Sequence, residues 1–451
     1  MFEKTVIPIC DFVYAISDAV DLIAPALNNH HKTVTYIAWR IGREMGLTKI
    51  ELQDIVLAAK LHDIGAFSLK ERSMIQAFEA DAKAFDNHVM LGYKLLKSFE
   101  PLGLAAEIIK YHHTPYDRIK LSIPLGSYII NLADRVSVLF NEEQEILQQI
   151  PGIMKQLSHK RHQFHPLAFN AFERLSLREY FWVEASSPAI CAAAIKKLDC
   201  AAEVVDMTSF RSFAKLFAQI IDFRSRFTAT HSSGVAAVAA ELTRIAGFSE
   251  YDCEMMEIAG YLHDLGKLAV PSDYLEKKGP LTEEEFNCVK KHTYYTFSIL
   301  NTISGMEHVA AWAAYHHERQ DGSGYPFHIK NDDFSTKAQI MAVADVFTAL
   351  SEDRPYRAGM ERDQIIKILF DLAEKGGFDR SIAEMACEEF PRINMIRIKA
   401  QQAAQREYKD FYQFDVPDND TGSRKGKPTS IDYVYDRMKY GKNKIAMPQA
   451  G

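Results

Sequence analysis

The chain has 451 residues, 47% of them hydrophobic, which is enough for two or three cores because a single core stops growing well below this length. Its formal net charge of −7 and isoelectric point near 6.2 exclude non-specific binding to duplex nucleic acid, which needs a basic surface, and require any anionic ligand to find local cations. Its six cysteines (Cys10, Cys191, Cys200, Cys253, Cys288 and Cys387) form no CxxC pair, which excludes a zinc ribbon or a disulfide framework and fits a reducing, cytoplasmic setting.

At the start, the apolar run from Val6 to Val20 is broken by Asp11 and Asp18 and follows no basic stretch, so a signal peptide is not expected. No apolar stretch approaches the roughly 18 residues that a membrane span requires. Apolar residues recur at helical spacing through most segments, as at Val235, Val238, Ala239, Leu242 and Ile245, and alternating strand patterns are scarce. The spacing predicts an all-α protein.

The main feature is an internal duplication. The chain reads HHKTVTYIAWRIGREMGLTKIELQDIVLAAKLHD from His30 to Asp63 and HSSGVAAVAAELTRIAGFSEYDCEMMEIAGYLHD from His231 to Asp264, and the two align without a gap. His30 faces His231, Gly46 faces Gly247, and His62-Asp63 faces His263-Asp264. The match continues through His88 with His292, His112-His113 with His316-His317, and Asp134 with Asp345. Two tandem helical bundles are therefore predicted, over residues 1–205 and 206–415. The change to Asp, Gly, Ser, Lys and Pro beyond about residue 415 predicts a mobile tail over 416–451.

In the second repeat, His231, His263, Asp264, His292, His316, His317 and Asp345 supply five imidazoles and two carboxylates. One ion does not need so many donors. Two ions do, when one carboxylate bridges them and water or hydroxide takes the shared open position; Asp264 is the candidate bridge. Residues adjacent on a helix point about 100° apart, so the His-Asp and His-His doublets serve neighbouring ions best at helix ends, which Gly266 and the segment DGSGYP supply. Lys267, a turn beyond His263, is placed to stabilise developing negative charge or to protonate a departing oxygen. Arg354 and Arg357 are spaced to share a helix face and grip phosphate oxygens. Mixed imidazole and carboxylate donors suit iron, manganese, zinc or nickel alike.

His263-Asp264-Leu-Gly-Lys267, HHERQDGSGYP from His316 to Pro326 and ADVFTALSEDRPYR from Ala344 to Arg357 together resemble the HD-GYP subgroup of the HD phosphohydrolase superfamily, over roughly residues 222 to 400. The resemblance implies an all-helical HD-domain fold, a di-iron or di-manganese centre, and hydrolysis of cyclic dinucleotides such as cyclic di-GMP in bacterial second-messenger signalling. The substrate-binding residues it implies are Arg354, Arg357, Gly324, Tyr325 and Pro326, with Gly322 also shaping the loop. Some family members carry a glutamate four residues before the first ligand histidine and take a third ion. This chain has Phe227 there, which favours two ions.

The first repeat keeps all seven ligand positions, His30, His62, Asp63, His88, His112, His113 and Asp134, and so resembles a second HD domain. Its accessory groups differ: Ala66 and Phe67 are read opposite Gly266 and Lys267, YHHTPYDR replaces the GYP loop, and nothing like DRPYR follows Asp134. A cleft without those cations should hold an anionic substrate poorly, so a structural or regulatory metal domain is favoured over an independent hydrolase or a metal-free relic. His31, His308 and His328 are read as ordinary histidines, since an isolated imidazole is more often a hydrogen-bonded core residue than a ligand.

The leading expectation is a cyclic dinucleotide phosphodiesterase, with cyclic di-GMP as substrate before cyclic GMP-AMP. The alternative is a binding module that holds a cyclic dinucleotide or a GGDEF-type protein without turnover. A homodimer is compatible with either. An HD phosphohydrolase acting on a nucleotide monoester or alarmone fits GYP and DRPYR less well.

Overall fold

The computed structural model describes residues 7–23, 29–66, 82–97, 99–118, 122–141, 143–196, 204–224, 230–277, 279–330, 333–353 and 358–412. Phe67, Phe227, Arg354, Arg357 and the tail expected over 416–451 lie outside them.

The apolar run near the start folds as α1 (Ile9–Asp21), whose Ile9, Phe12, Val13, Ile16 and Val20 are buried. It is a core helix; Asp11 and Asp18, which interrupt the apolar run, lie at partly exposed positions, and Asp21 at its end is buried. α2 (His30–Glu44) stops at Gly46, which takes a positive φ of 78° that only glycine adopts cheaply. Thr48 and Glu51 then form a reciprocal capping box that starts α3 (Lys49–Leu61). The first repeat continues through α4 (Ala82–Lys97), α5 (Gly103–Lys110) and α6 (Leu125–Ser137). It closes with α7 (Ile146–His159), α8 (Pro166–Ser176), α9 (Glu179–Ala185) and α10 (Pro188–Lys196).

The second repeat uses the same devices in the same order. After α11 (Met207–Arg224), α12 (His231–Ile245) stops at Gly247, with φ 82°, and Ser249 caps α13 (Glu250–Leu262). A short α14 (Ser272–Leu275) precedes α15 (Glu283–Leu300), which a Thr282–Glu285 capping box begins. α16 (Glu307–Ala314), α17 (Thr336–Ser351), α18 (Arg362–Glu374), α19 (Arg380–Glu388) and α20 (Phe390–Tyr412) follow. The identical helix stops and starts explain why the two sequences align without a gap.

The described residues up to 408 form one compact unit. Within it, Ile7 and Pro8 pair antiparallel with Val205 and Val204, and Phe12 meets Phe210 and Phe213 edge-on at 5.0 and 4.1 Å between ring centres. Phe99 also reaches Phe213, and Phe213 stacks on Phe217. All these rings except Phe99, at 6% exposure, are at most 1% exposed. Burying each is worth about 1.5–3 kcal/mol, so this aromatic cluster ties the first repeat to the second through α1 and α11.

Candidate metal centre in each repeat

In the second repeat each expected ligand stands at a helix end or on an inward helical face. α13 ends at Leu262, so His263 caps it and Asp264 begins the next turn. His316 and His317 lie in a single tight turn after α16, His292 sits inside α15, His231 opens α12, and Asp345 lies on α17. The Asp264 carboxylate divides between two groups of imidazoles. Oδ2 lies 3.3 Å from His263 Nε2, while Oδ1 lies 3.5 Å from His292 Nε2 and 3.9 Å from His316 Nε2. His317 packs on His292 and His316, with ring centres 5.3 and 4.2 Å away. Asp345 Oδ1 is 3.0 Å from His231 Nε2 and 4.0 Å from His263 Nε2.

Three of the imidazoles are fixed from behind. Nδ1 of His263, His292 and His316 donates to the carbonyls of Gly260, Val289 and Ala313, each at 2.7 Å. A carbonyl only accepts, so Nδ1 carries the proton and the lone pair stays on Nε2, facing the centre. Burial holds His292 down at about 3 and His316 at about 4, which keeps both neutral and able to ligate. His263 Nε2 and Asp264 Oδ1 are buried without a hydrogen-bond partner among the described residues. Orphaned buried donor atoms of this kind fit a divalent cation. His231, His263 and Asp264 form one compact ligand group and His292, His316 and His317 another.

The chain also holds a carboxylate that sequence reasoning missed. Glu352, 6% exposed, lies 3.2 Å from His231 Nδ1 and accepts from Gln401 Nε2 at 3.1 Å. Burial alone would lower the His231 pKa, but Glu352 and then Asp345 outweigh it and raise it to about 10, so an ion taken up here would displace a proton from this imidazole. Glu352 thus orients His231 as a carboxylate behind a ligand does. Glu352→Gln is expected to weaken metal retention or activity about 10–100-fold, measured as Mn²⁺ content after buffer exchange and as turnover of the loaded enzyme.

Lys267 Nζ reaches Asp264 Oδ2 at 2.5 Å, so the expected cation stands beside the expected bridge. The GYP loop is closed by Glu318, whose carboxylate accepts from the Phe327 and Ile329 amides at 2.6 and 3.1 Å. At Gly324 a Cβ would lie 2.4 Å from Glu318 Cα and from the Arg319 nitrogen, so only glycine lets the loop fold back on itself. Gly324→Ala is expected to cost about 1–3 kcal/mol by overpacking, read as a lower midpoint in thermal or urea unfolding. Tyr325 donates its backbone N–H to the His317 carbonyl at 3.2 Å and lays its ring 5.1 Å from that of His317.

From there a cavity of about 430 Å³ opens, lined by Lys290, Lys291, Tyr294, Tyr295, Tyr325, Pro326 and His328. Lys290 Nζ sits 5.8 Å from the centre of the Tyr325 ring. The lysines and tyrosines of α15 were not singled out from sequence. Their signal was present in VKKHTYYTF, where cations and aromatics flank His292.

The first repeat builds the same centre. Asp63 Oδ2 is 3.4 Å from His62 Nε2, and its Oδ1 is 3.4 Å from His88 Nε2 and 3.7 Å from His112 Nε2. His30 Nε2 is 3.3 Å from Asp134 Oδ1, and His113 Nδ1 is 3.8 Å from Oδ2. His62 and His112 donate Nδ1 to the Ala59 and Ile109 carbonyls. Where Glu352 backs His231, the Ser137 hydroxyl backs His30 among the described residues, at 3.1 Å.

Two expectations for this repeat are corrected. Gly65, not Ala66, stands opposite Gly266: an added Cβ would meet the His88 carbonyl oxygen at 2.1 Å and the His292 one at 1.9 Å respectively, so both loops need glycine to approach the next helix. Ala66 is then the counterpart of Lys267. A cation is nevertheless present, because Arg135 donates to Asp134 Oδ2 from Nε at 3.1 Å and Nη2 at 2.7 Å. It comes from α6, where the second repeat has Val346. His31, read as an ordinary histidine, is buried and hydrogen-bonded to Asp21, and it also lies in a possible ligand group with His62 and Asp63. His308 stacks on Trp312, as a structural residue would.

Comparison with known proteins gives the same division. Residues 215–382 and 28–139 each match a family of HD domains. The chain is 28% identical over 390 residues to the 3'3'-cGAMP-specific phosphodiesterase 1 of Vibrio cholerae serotype O1, covering 82% of this chain and 89% of that protein. It is 36% identical over 161 residues to a cyclic di-GMP phosphodiesterase response regulator of Xanthomonas campestris pv. campestris, covering 35% of this chain and 42% of that one. Among solved structures, a cyclic GMP-AMP specific phosphodiesterase of V. cholerae superposes with a TM-score of 0.61 at 22% identity, over 89% of this chain and 98% of the other, which shows a shared fold. With two HD domains in one chain and the GYP loop beside the second centre, the protein belongs to the HD-domain family and is of the HD-GYP type.

Proposed function

We propose that the second repeat hydrolyses a phosphodiester bond of a cyclic dinucleotide, and that 3'3'-cGAMP is preferred to cyclic di-GMP. The observation that carries this is the Asp264 carboxylate, with one oxygen toward each group of imidazoles and Lys267 at its side. Sequence reasoning put cyclic di-GMP first. A relative that matches along both repeats is named as specific for 3'3'-cGAMP, and that supports the reverse order.

In this reading His231, His263, Asp264 and Asp345 hold one divalent cation, and Asp264, His292, His316 and His317 hold the second, with iron or manganese the preferred metals. When bound, such a pair supplies Lewis acidity at phosphorus and lowers the pKa of water to yield a nucleophile. The chain does the rest. Burial alone would lower the Lys267 pKa, but Asp264 more than offsets it and raises it. Lys267 therefore keeps its proton at neutral pH, to hold a phosphate oxygen or protonate the leaving ribose oxygen. Lys290 and Lys291 neutralise the second phosphate, and Tyr294 and Tyr325 offer faces for the purines. Arg354 and Arg357 are proposed to grip the scissile phosphate.

The first repeat, in this reading, is a metal-holding regulatory domain within residues 1–205, joined to a catalytic domain over 206–415. No helix among the described residues is long and apolar enough to cross a membrane, and a cytoplasmic setting suits a diffusible second messenger. Anaerobic incubation of the manganese-loaded chain with each cyclic dinucleotide, products resolved by chromatography, tests the assignment. Faster loss of 3'3'-cGAMP is expected. Faster loss of cyclic di-GMP would reverse the specificity, and binding of both without turnover would favour a cyclic-dinucleotide sensor.

A further inference from the structure

The ungapped alignment pairs His31 with Ser232 and Asp21 with Asp222, and the structure gives each pair a contact of a different kind. In the second repeat Asp222 accepts from the Ser232 hydroxyl at 2.8 Å and from its amide at 3.2 Å. In the first, the Asp21 carboxylate takes Nδ1 of His31 instead. Nδ1 is thereby fixed as the donor, and Nε2 is left with its lone pair. His31 is 1% exposed, and its Nε2 has no hydrogen-bond partner among the described residues. One donor atom from each of His31, His62 and Asp63 lies within 4.8 Å of the others.

His62 belongs to two ligand groups, one with His31 and Asp63 and one with His30 and Asp134. Its Nδ1 is committed to the Ala59 carbonyl at 2.8 Å, so a single nitrogen remains, and one nitrogen serves one ion. The two groups therefore describe one coordination sphere. We infer that His31, braced by Asp21, is an added ligand to the His62 ion of the first repeat, filling a coordination position for which the second repeat supplies only Ser232. The ion is a first-row divalent cation, which His and carboxylate donors suit. The added imidazole makes this a more closed centre, and closed centres are structural where catalytic ones keep a position open. The inference rests on the reading that the first repeat binds metal, and gives that repeat's regulatory role a physical basis.

The test uses the full chain with Asp264→Ala and His292→Ala, which removes the second repeat's ions, loaded with Mn²⁺ and titrated with a chelator while bound manganese is counted by mass spectrometry. Adding His31→Ser, which installs the second repeat's own residue, is expected to weaken retention of one ion by at least about 10-fold. Asp21→Asn, which keeps the imidazole and loses its brace, should weaken it by about 10–100-fold. Adding Asp63→Ala should abolish binding. If both His31→Ser and Asp21→Asn hold manganese as tightly as the parent while Asp63→Ala loses it, the added ligand is refuted and the metal reading stands. If the parent retains no manganese, or Asp63→Ala changes nothing, both fail. Circular dichroism melts of each variant separate lost ligation from lost folding.

Discussion

Asp264→Ala lowers kcat/KM for cyclic dinucleotide hydrolysis by at least about 1000-fold, the scale of removing a positioned electrostatic group, and releases both cations of the second repeat. Each carboxylate oxygen faces a different set of imidazoles, so no neighbour can replace it. Burial opposes the charged form, but His263 and Lys267 outweigh it and hold the Asp264 carboxyl well below the usual range. The side chain is therefore an anion at any working pH. Removing it also leaves Lys267 without its 2.5 Å partner, so a lower melting temperature accompanies the loss of activity. Asp264→Asn separates the two effects. It keeps the volume and lacks the bridging charge, so it should melt near the parent yet bind few ions and turn over no faster than the alanine variant. Turnover by either variant within 10-fold of the parent contradicts a bridging role.

Lys267→Ala lowers kcat by about 100–10,000-fold, the range for a positioned acid or base, with metal content preserved. The side chain is 24% exposed and belongs to no ligand group. It can therefore meet substrate while Asp264 holds its proton in place. Lys267→Arg retains the charge and changes the shape and proton affinity of the head group. If Lys267 acts through charge alone, arginine restores much of the rate. If it delivers the proton to the leaving oxygen, arginine restores binding, seen in KM, and leaves kcat low. Equal kcat for all three proteins would remove Lys267 from the mechanism and leave it as an ion-pair partner of Asp264.

Much of this centre was legible in the sequence because the duplication repeats both the ligands and the helix ends that present them. The positive-φ glycines Gly46 and Gly247 and the caps Thr48 and Ser249 fix equal helix lengths, so a gapless alignment maps onto superposable geometry. What escaped comes from elements that the alignment does not bring together. Glu352 lies 121 positions from the histidine it supports, and no periodicity links them. Arg135 escapes the alignment because cations are sought at the Lys267 and DRPYR positions, whereas this one arises next to Asp134, where the second repeat has Val346. His31 is passed over in the sequence because the ungapped alignment selects His30, and its contact with Asp21 is visible only in the structure. The one-residue slip at Gly65 has a physical remedy, since the close approach of the His88 carbonyl admits only glycine there.

The central claim is that two cations bridged by Asp264 make the second repeat the site of hydrolysis. Its most direct test is to titrate Mn²⁺ anaerobically into the metal-free Asp63→Ala chain, in which the first centre is disabled, while following bound ions and 3'3'-cGAMP turnover together. Turnover that stays near background at one ion per chain and rises to the parent rate with the second is the predicted result. Full activity with a single bound ion would contradict the paired centre, and no activity at two would move the chemistry to the first repeat or out of the chain.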